Sequence, residues 1–199
     1  MMRPRALIAL AAMLLGAACA SLAPSPDVPA FDLLGRVFVG YEGPSFSSNL
    51  RWSHAGGRDQ IWLMTPLGQT VAYIEDGPEG ATLTSADQQQ YHAGSVESLT
   101  RRALGWELPL AHLRYWVRGE QVPGVPAQGV QRTTDGELLE LVQSGWRIAF
   151  TPPAAAAPSR LPQRLQLSKG TQQIRLVVDE WRTEQSALNR VWRKASAAP

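Results

Sequence analysis

Much of the chain alternates apolar and polar positions with a period of two. In Phe46-Ser47-Ser48-Asn49-Leu50-Arg51-Trp52, the residues Phe46, Leu50 and Trp52 share one face, and Ser47, Asn49 and Arg51 share the other. Ile61 and Leu63 alternate with Trp62 and Met64. Trp146, Ile148 and Phe150 alternate with Arg147 and Ala149, and Ile174, Leu176 and Val178 with Arg175, Val177 and Asp179. Successive side chains of a strand point to opposite faces, so this period predicts half-buried strands. Breaks at His54-Ala55-Gly56-Gly57, Pro66-Leu67-Gly68, Gly77-Pro78-Glu79-Gly80, Gln143-Ser144-Gly145 and Lys169-Gly170 separate the runs. Short strands at close spacing predict an antiparallel meander with one face toward a core or cavity.

One region changes to helical spacing. Val96, Leu99, Ala103 and Leu104 fall on one helical face, with Ser95 as N-cap and Gly105 as stop. A second helix can start at Pro109, which a first turn tolerates, and presents Leu110, Leu113, Trp116 and Val117 before Gly119 ends it. Two short amphipathic helices must cover their apolar faces, and the concave side of a curved sheet is the partner available. After Trp181, the residues Leu188, Val191 and Trp192 permit a short terminal helix. Arg182, Arg190, Arg193 and Lys194 fit a solvated tail equally well.

The N-terminus follows neither pattern. Arg3 and Arg5 precede an apolar run from Ala6 to Leu15, and Gly16-Ala17-Ala18-Cys19 follows it. A basic segment, a short apolar segment and small residues are the plan of a secretory signal peptide. The run is too short to span a hydrocarbon core, which takes about 20 apolar residues. Cys19 is the only cysteine, so it has no internal disulfide partner. It stands where the cleaved chain would begin, which predicts the lipidated first residue of a bacterial lipoprotein; the alternative is an ordinary secreted chain with a thiol at its cleavage site. Residues 20–30, rich in Pro, Ser and Ala, read as a flexible tether. The expected division is a signal peptide over 1–18, a lipidated tether over 19–30, one domain over 31–182 and a tail over 183–199. The Pro/Ala stretch from Thr151 to Ser159 is expected to be a long loop within that domain.

Charge changes the picture by exclusion. The chain has 19 basic and 17 acidic side chains and a formal net charge of +2. Losing Arg3 and Arg5 with the leader removes that excess, and no basic run with interleaved aromatics suggests nucleic acid. The pair Arg101-Arg102 reads as a solvated helix face. His54 falls in a predicted turn, His92 just after a strand and His112 on the polar side of the second helix. Metal-ligand spacing and a nucleophile elbow are both missing, so the expectation is no metal, no cofactor and no enzymatic activity. Glu75-Asp76 and Asp179-Glu180 alternate faces and read as solvated. Seven tryptophans are more informative. Each alone is explained by core packing, but together with helices over a curved sheet they suit an apolar interior that accepts lipid chains.

From Phe31 to Trp181 a series of landmarks then appears in a recognisable order. They are Phe31-x-x-x-Gly35-Arg36, Leu50-x-Trp52, Pro66-Leu67-Gly68, Leu104-Gly105-Trp106-x-Leu108-Pro109 and Leu113-x-x-Trp116-x-x-Gly119. Gln143-x-Gly145-Trp146, Leu161-Pro162 and Ile174-Arg175-Leu176-Val177-x-x-x-Trp181 complete the series. In this order, behind a lipoprotein signal, the chain resembles the LolB family of outer-membrane lipoprotein receptors. The resemblance implies a mainly β fold, an open, incomplete antiparallel β-barrel with a helical lid over a hydrophobic cavity. It implies a lipid-anchored protein on the periplasmic face of the outer membrane. Its partners would be the periplasmic carrier LolA, acylated lipoprotein cargo and outer-membrane phospholipid, and it would act as a monomer. Ala20 and Ser21 after the cysteine, where an Asp would signal inner-membrane retention in enteric bacteria, favour that destination.

Strand parity and helical faces nominate the cavity lining: Phe38, Phe46, Leu50, Trp52, Leu63, Leu99, Leu113, Trp116, Trp146, Ile148, Leu176 and Val178. The turn Pro66-Leu67-Gly68 is a second candidate site. From composition alone, Leu67 could fold back onto the core; the resemblance implies an exposed leucine that helps deliver cargo to the membrane. A scaffold subunit of another envelope assembly, with a filled core and no lipid cargo, is the alternative function, and an envelope hydrolase a third.

Overall fold

The structure is a computed structural model that describes residues 28–43, 45–153 and 159–182. The predicted leader, Cys19, most of the tether, the centre of the Thr151–Ser159 loop and the tail after residue 182 lie outside the described residues. The described residues form eleven strands. They are β1 (Phe31–Gly40), β2 (Phe46–Ala55), β3 (Arg58–Met64), β4 (Thr70–Gly77), β5 (Gly80–Ser85) and β6 (Gln90–Ala93), then β7 (Ala127–Arg132), β8 (Leu138–Gln143), β9 (Trp146–Thr151), β10 (Arg164–Lys169) and β11 (Gln172–Arg182). All pair antiparallel in one sheet, in the order β6-β5-β4-β3-β2-β1-β11-β10-β9-β8-β7.

That order explains where the helices sit. The first six strands build outward from β1 to one edge, and the last five build from the other edge back to β1. The connection from β6 to β7 must therefore travel from edge to edge. It carries α1 (Val96–Leu104) and α2 (Leu110–Trp116). Ser95 caps α1 by accepting from the Ser98 amide at 3.3 Å, and Gly105 ends it at φ +78°, as the sequence predicts. Inward side chains of strands from both halves of the sheet form one core with residues of both helices, so the sheet curls round that core while β6 and β7 stay unpaired with each other. Val28 belongs to this core as well.

At the centre of the sheet the β1–β11 register shifts between Leu34 and Gly35. A Cβ on Gly35 would collide with the Val177 carbonyl oxygen, which is why only glycine suits this close approach. Gln143, expected in a turn, instead ends β8 as a buried side chain. Its amide donates to the carbonyls of Val122 at 3.0 Å and Val125 at 2.8 Å, and its oxygen accepts from Trp116 Nε1 at 2.9 Å. It pins the chain leaving α2 to the far side of the sheet.

Candidate functional site

On the inner face the register sets side chains in rows. Phe31, His54, Asp59, Asp76 and Ala81 form one row, Leu33, Trp52, Ile61, Ile74 and Leu83 the next, and Leu50, Leu63 and Ala72 a third. The last row pairs Val39 with Phe46, at the end from which the Pro66-Leu67-Gly68 turn projects. Between these rows and the helices runs an apolar seam lined by Val37, Val39, Phe46, Leu50, Trp52, Ile61, Leu63, Ile74, Trp106, Leu108, Leu113, Ile174 and Leu176. Its free space is only about 40 Å³. Val37 and Phe46, nearest the turn, are its half-buried end.

Of the nominated residues, Phe46, Leu50, Trp52, Leu63, Leu113 and Leu176 meet along this seam. Leu99, Trp116, Trp146, Ile148 and Val178 are buried in the core outside it. Phe38 does not join them. It stands on the outer face of β1, where the Arg175 guanidinium lies 4.4 Å from its ring centroid. β1 buries its odd-numbered residues, so Val37 and Val39 take the inward places instead. Trp106 and Leu108 carry no sequence signal for this place, because the connector between the helices has no period to mark a buried side.

The lid is held by charge. Asp59, fully buried, accepts from Trp52 Nε1 at 2.6 Å and meets His54 Nδ1 at 2.9 Å through the same oxygen. Its other oxygen accepts from Arg114 Nε at 2.6 Å, and Arg114 Nη2 bridges Asp59 and Asp76, 2.5 Å from each. Arg114 is on α2 while both carboxylates are on the sheet, so these contacts tie the lid to β3 and β4. His54 is therefore a buried strand residue, not a turn residue, and Asp76 is not simply solvated as its pairing with Glu75 suggested. His92 lies within β6 and faces Thr82 Oγ1 at 3.0 Å, and His112 stacks on Trp116 at 5.4 Å, so the three histidines do not converge. One signal was available in the sequence. Asp59 shares the parity of Ile61 and Leu63, and a carboxylate on the apolar side of a strand needs a partner.

Asp76 has its pKa raised. Burial is the leading cause, opposed by Arg114, with the Asp59 and Glu97 charges raising it further. A carboxyl whose folded pKa lies above its unfolded value stabilises the fold fully below the unfolded value of 3.8, and that contribution is lost as pH rises through the folded value. Asp76→Asn should therefore raise the melting temperature at pH 7, and the gain should vanish below about pH 4. Melting curves across that range check it; a variant that loses stability at pH 7 would mean the Arg114 contact outweighs burial.

The Leu67 turn is built differently. The Gly68 amide donates to the Thr65 carbonyl at 2.9 Å, the Thr65 amide donates to the Gln69 carbonyl at 2.8 Å, and Gly68 sits at φ +82°. This is a type I turn closed by a left-handed glycine, in which Pro66 presets the second position. Leu67 at its tip is 88% exposed, the most exposed large hydrophobic side chain among the described residues. Among those residues no cluster of metal-ligating side chains occurs.

The family model described as "Outer membrane lipoprotein LolB" matches residues 29–181. The outer-membrane lipoprotein LolB of Thiobacillus denitrificans is 41% identical over 189 residues, covering 92% of this chain and 99% of that protein. That of Chromobacterium violaceum is 36% identical over 188 residues, covering 91% and 99%. Among solved structures, a putative outer membrane lipoprotein-sorting protein domain from Vibrio parahaemolyticus superposes with a TM-score of 0.51 at 8% identity, over 84% of this chain and 92% of that one. A DUF1329 family protein from Desulfovibrio piger gives 0.52 at 8% identity, over 80% and 88%. These structures share the fold.

Proposed function

The chain belongs to the LolB family of outer-membrane lipoproteins, and from that membership we propose that it is the receptor that ends lipoprotein sorting. It accepts acylated lipoproteins from the soluble periplasmic carrier LolA and releases them into the inner leaflet of the outer membrane. Cys19 carries the acyl anchor that keeps it there, and it works as a monomer. The observation that supports this most is the apolar seam beneath a latched lid, half-open at the end that carries the exposed Leu67. A scaffold subunit with no cargo is not favoured by the family membership.

The physics suits such a hand-over. Each methylene kept out of water is worth ~0.8 kcal/mol, so acyl chains do not cross an aqueous space unaided. An acceptor of higher affinity than the carrier, followed by the bilayer, makes every step downhill without a nucleotide. The seam of about 40 Å³ is far below the roughly 300–1,000 Å³ of small-molecule sites, so uptake displaces α1 and α2 from the sheet. Acyl chains entering there lie against Trp52 and Trp106. Brominated acyl ligands should therefore quench the tryptophan fluorescence of the folded protein in a saturable way. Unchanged fluorescence at saturating ligand would favour the filled-core scaffold.

A further inference from the structure

The outer face of the sheet, which the lid does not touch, carries a groove of about 550 Å³ beside the Leu67 turn. Pro66 forms one wall, and Ser47 and Asn49 of β2 continue it. Asn49 Nδ2 donates to the Thr65 carbonyl at 3.3 Å, so the turn and the groove are held together. Phe38 and Val177 give the floor an apolar part. Around them stand the exposed guanidinium groups of Arg36, Arg164 and Arg175. The register places them together: Arg36 pairs with Val177, Val177 with Arg164, and Phe38 with Arg175.

The charge of this groove is uneven. Asp179 binds Arg36 at 2.7 Å, and Glu140 binds Arg147 on the neighbouring strands. Among the described residues no acidic side chain pairs with Arg164 or Arg175. Two unneutralised guanidinium groups beside apolar floor, on a face that no other described element covers, suit an amphiphilic anion. Arginine presents a planar fork of donors that fits a phosphate. We propose that this groove holds the phosphate of an anionic phospholipid headgroup while Leu67 occupies the acyl layer next to it. The proposal rests on the membrane-facing reading of Leu67 given above. The shared wall at Pro66 is what favours a lipid over an acidic protein: when the tip of the turn enters the bilayer, the groove beside it lies at headgroup depth. Arg164 and Arg175 would then orient the half-open end of the seam toward the leaflet that receives cargo.

The test sediments the chain from residue 19, with Cys19→Ser to leave it without an anchor, against two kinds of vesicle. One is phosphatidylcholine alone; the other includes phosphatidylglycerol. The parent should bind the anionic vesicles more tightly, and raised salt should erase the difference. Arg164→Gln with Arg175→Gln should lose about thirty-fold in affinity for the anionic vesicles and little for the neutral ones. Arg164→Lys with Arg175→Lys should keep most of the preference, which a mere loss of packing on Phe38 would not allow. If the Gln pair binds anionic vesicles as the parent does, the proposal is wrong, and a simultaneous loss of uptake from LolA would assign the groove to an acidic protein instead. Leu67→Glu separates the two readings. It should weaken binding to both kinds of vesicle alike; unchanged binding, with the Gln pair still defective, would remove Leu67 from the membrane and leave the groove its lipid.

Discussion

Leu67→Glu is expected to leave the melting temperature and uptake from LolA unchanged while cutting delivery into liposomes at least about tenfold. The side chain has almost no protein contacts to lose, being 88% exposed at the tip of the turn. The turn itself is set by Pro66, Gly68 and the backbone bonds of Thr65, none of which needs the leucine. A leucine that enters the acyl boundary gains ~1.5–3 kcal/mol when fully buried there, and a glutamate gains nothing and brings a charge that resists leaving water. Uptake and delivery are measured separately, with labelled lipoprotein on LolA in the first assay and liposomes added in the second. A parallel loss of both, or a large fall in melting temperature, would make Leu67 a structural residue.

The second large effect is expected at the latch. Arg114→Met keeps the length and apolar body of the side chain but leaves Asp59 buried without its cation. Removing one partner of a buried ion pair costs ~3–5 kcal/mol, because the remaining charge is uncompensated. For a chain of this size that corresponds to a fall of about 6–20 °C in melting temperature. Movement of α2 away from the sheet lets water reach Asp59, so the variant relieves part of the cost by opening its lid. It should therefore bind acyl ligands faster than the parent while being less stable. Adding Asp59→Asn to Arg114→Met should recover most of the melting temperature, since the amide oxygen still accepts from Trp52 Nε1, but should not restore the slow, latched uptake. A variant of lower stability with unchanged ligand kinetics would show that the cluster supports the fold and does not gate the seam.

Much of this architecture can be read from the chain, and the exceptions have common causes. Period-two runs identify the inward faces of β2, β3, β9 and β11, because each buries one side only. Ser95 and Gly105 mark α1, because caps are local chemistry. Phe38 is ambiguous in the sequence because β1 is apolar on both faces: Val37 and Val39 face in, while Phe38 finds an arginine outside, a contact made across strands. The latch was hidden for the same reason. Arg114, Asp59 and Asp76 come together only when the edge-to-edge connection lays α2 over β3 and β4, and nothing local to any of them shows it. The size of the seam is a property of how closely the lid packs, which residue types alone do not fix.

Hand-over of acylated cargo from LolA by affinity alone is the step on which the proposed function rests. The direct measurement is transfer of a radiolabelled lipoprotein from purified LolA to the folded protein in buffer without nucleotide, the two being separated after mixing. The label should move to this protein and favour it at equilibrium, with the Arg114→Met variant taking it up sooner. Label that remains on LolA in the presence of excess folded protein would contradict it.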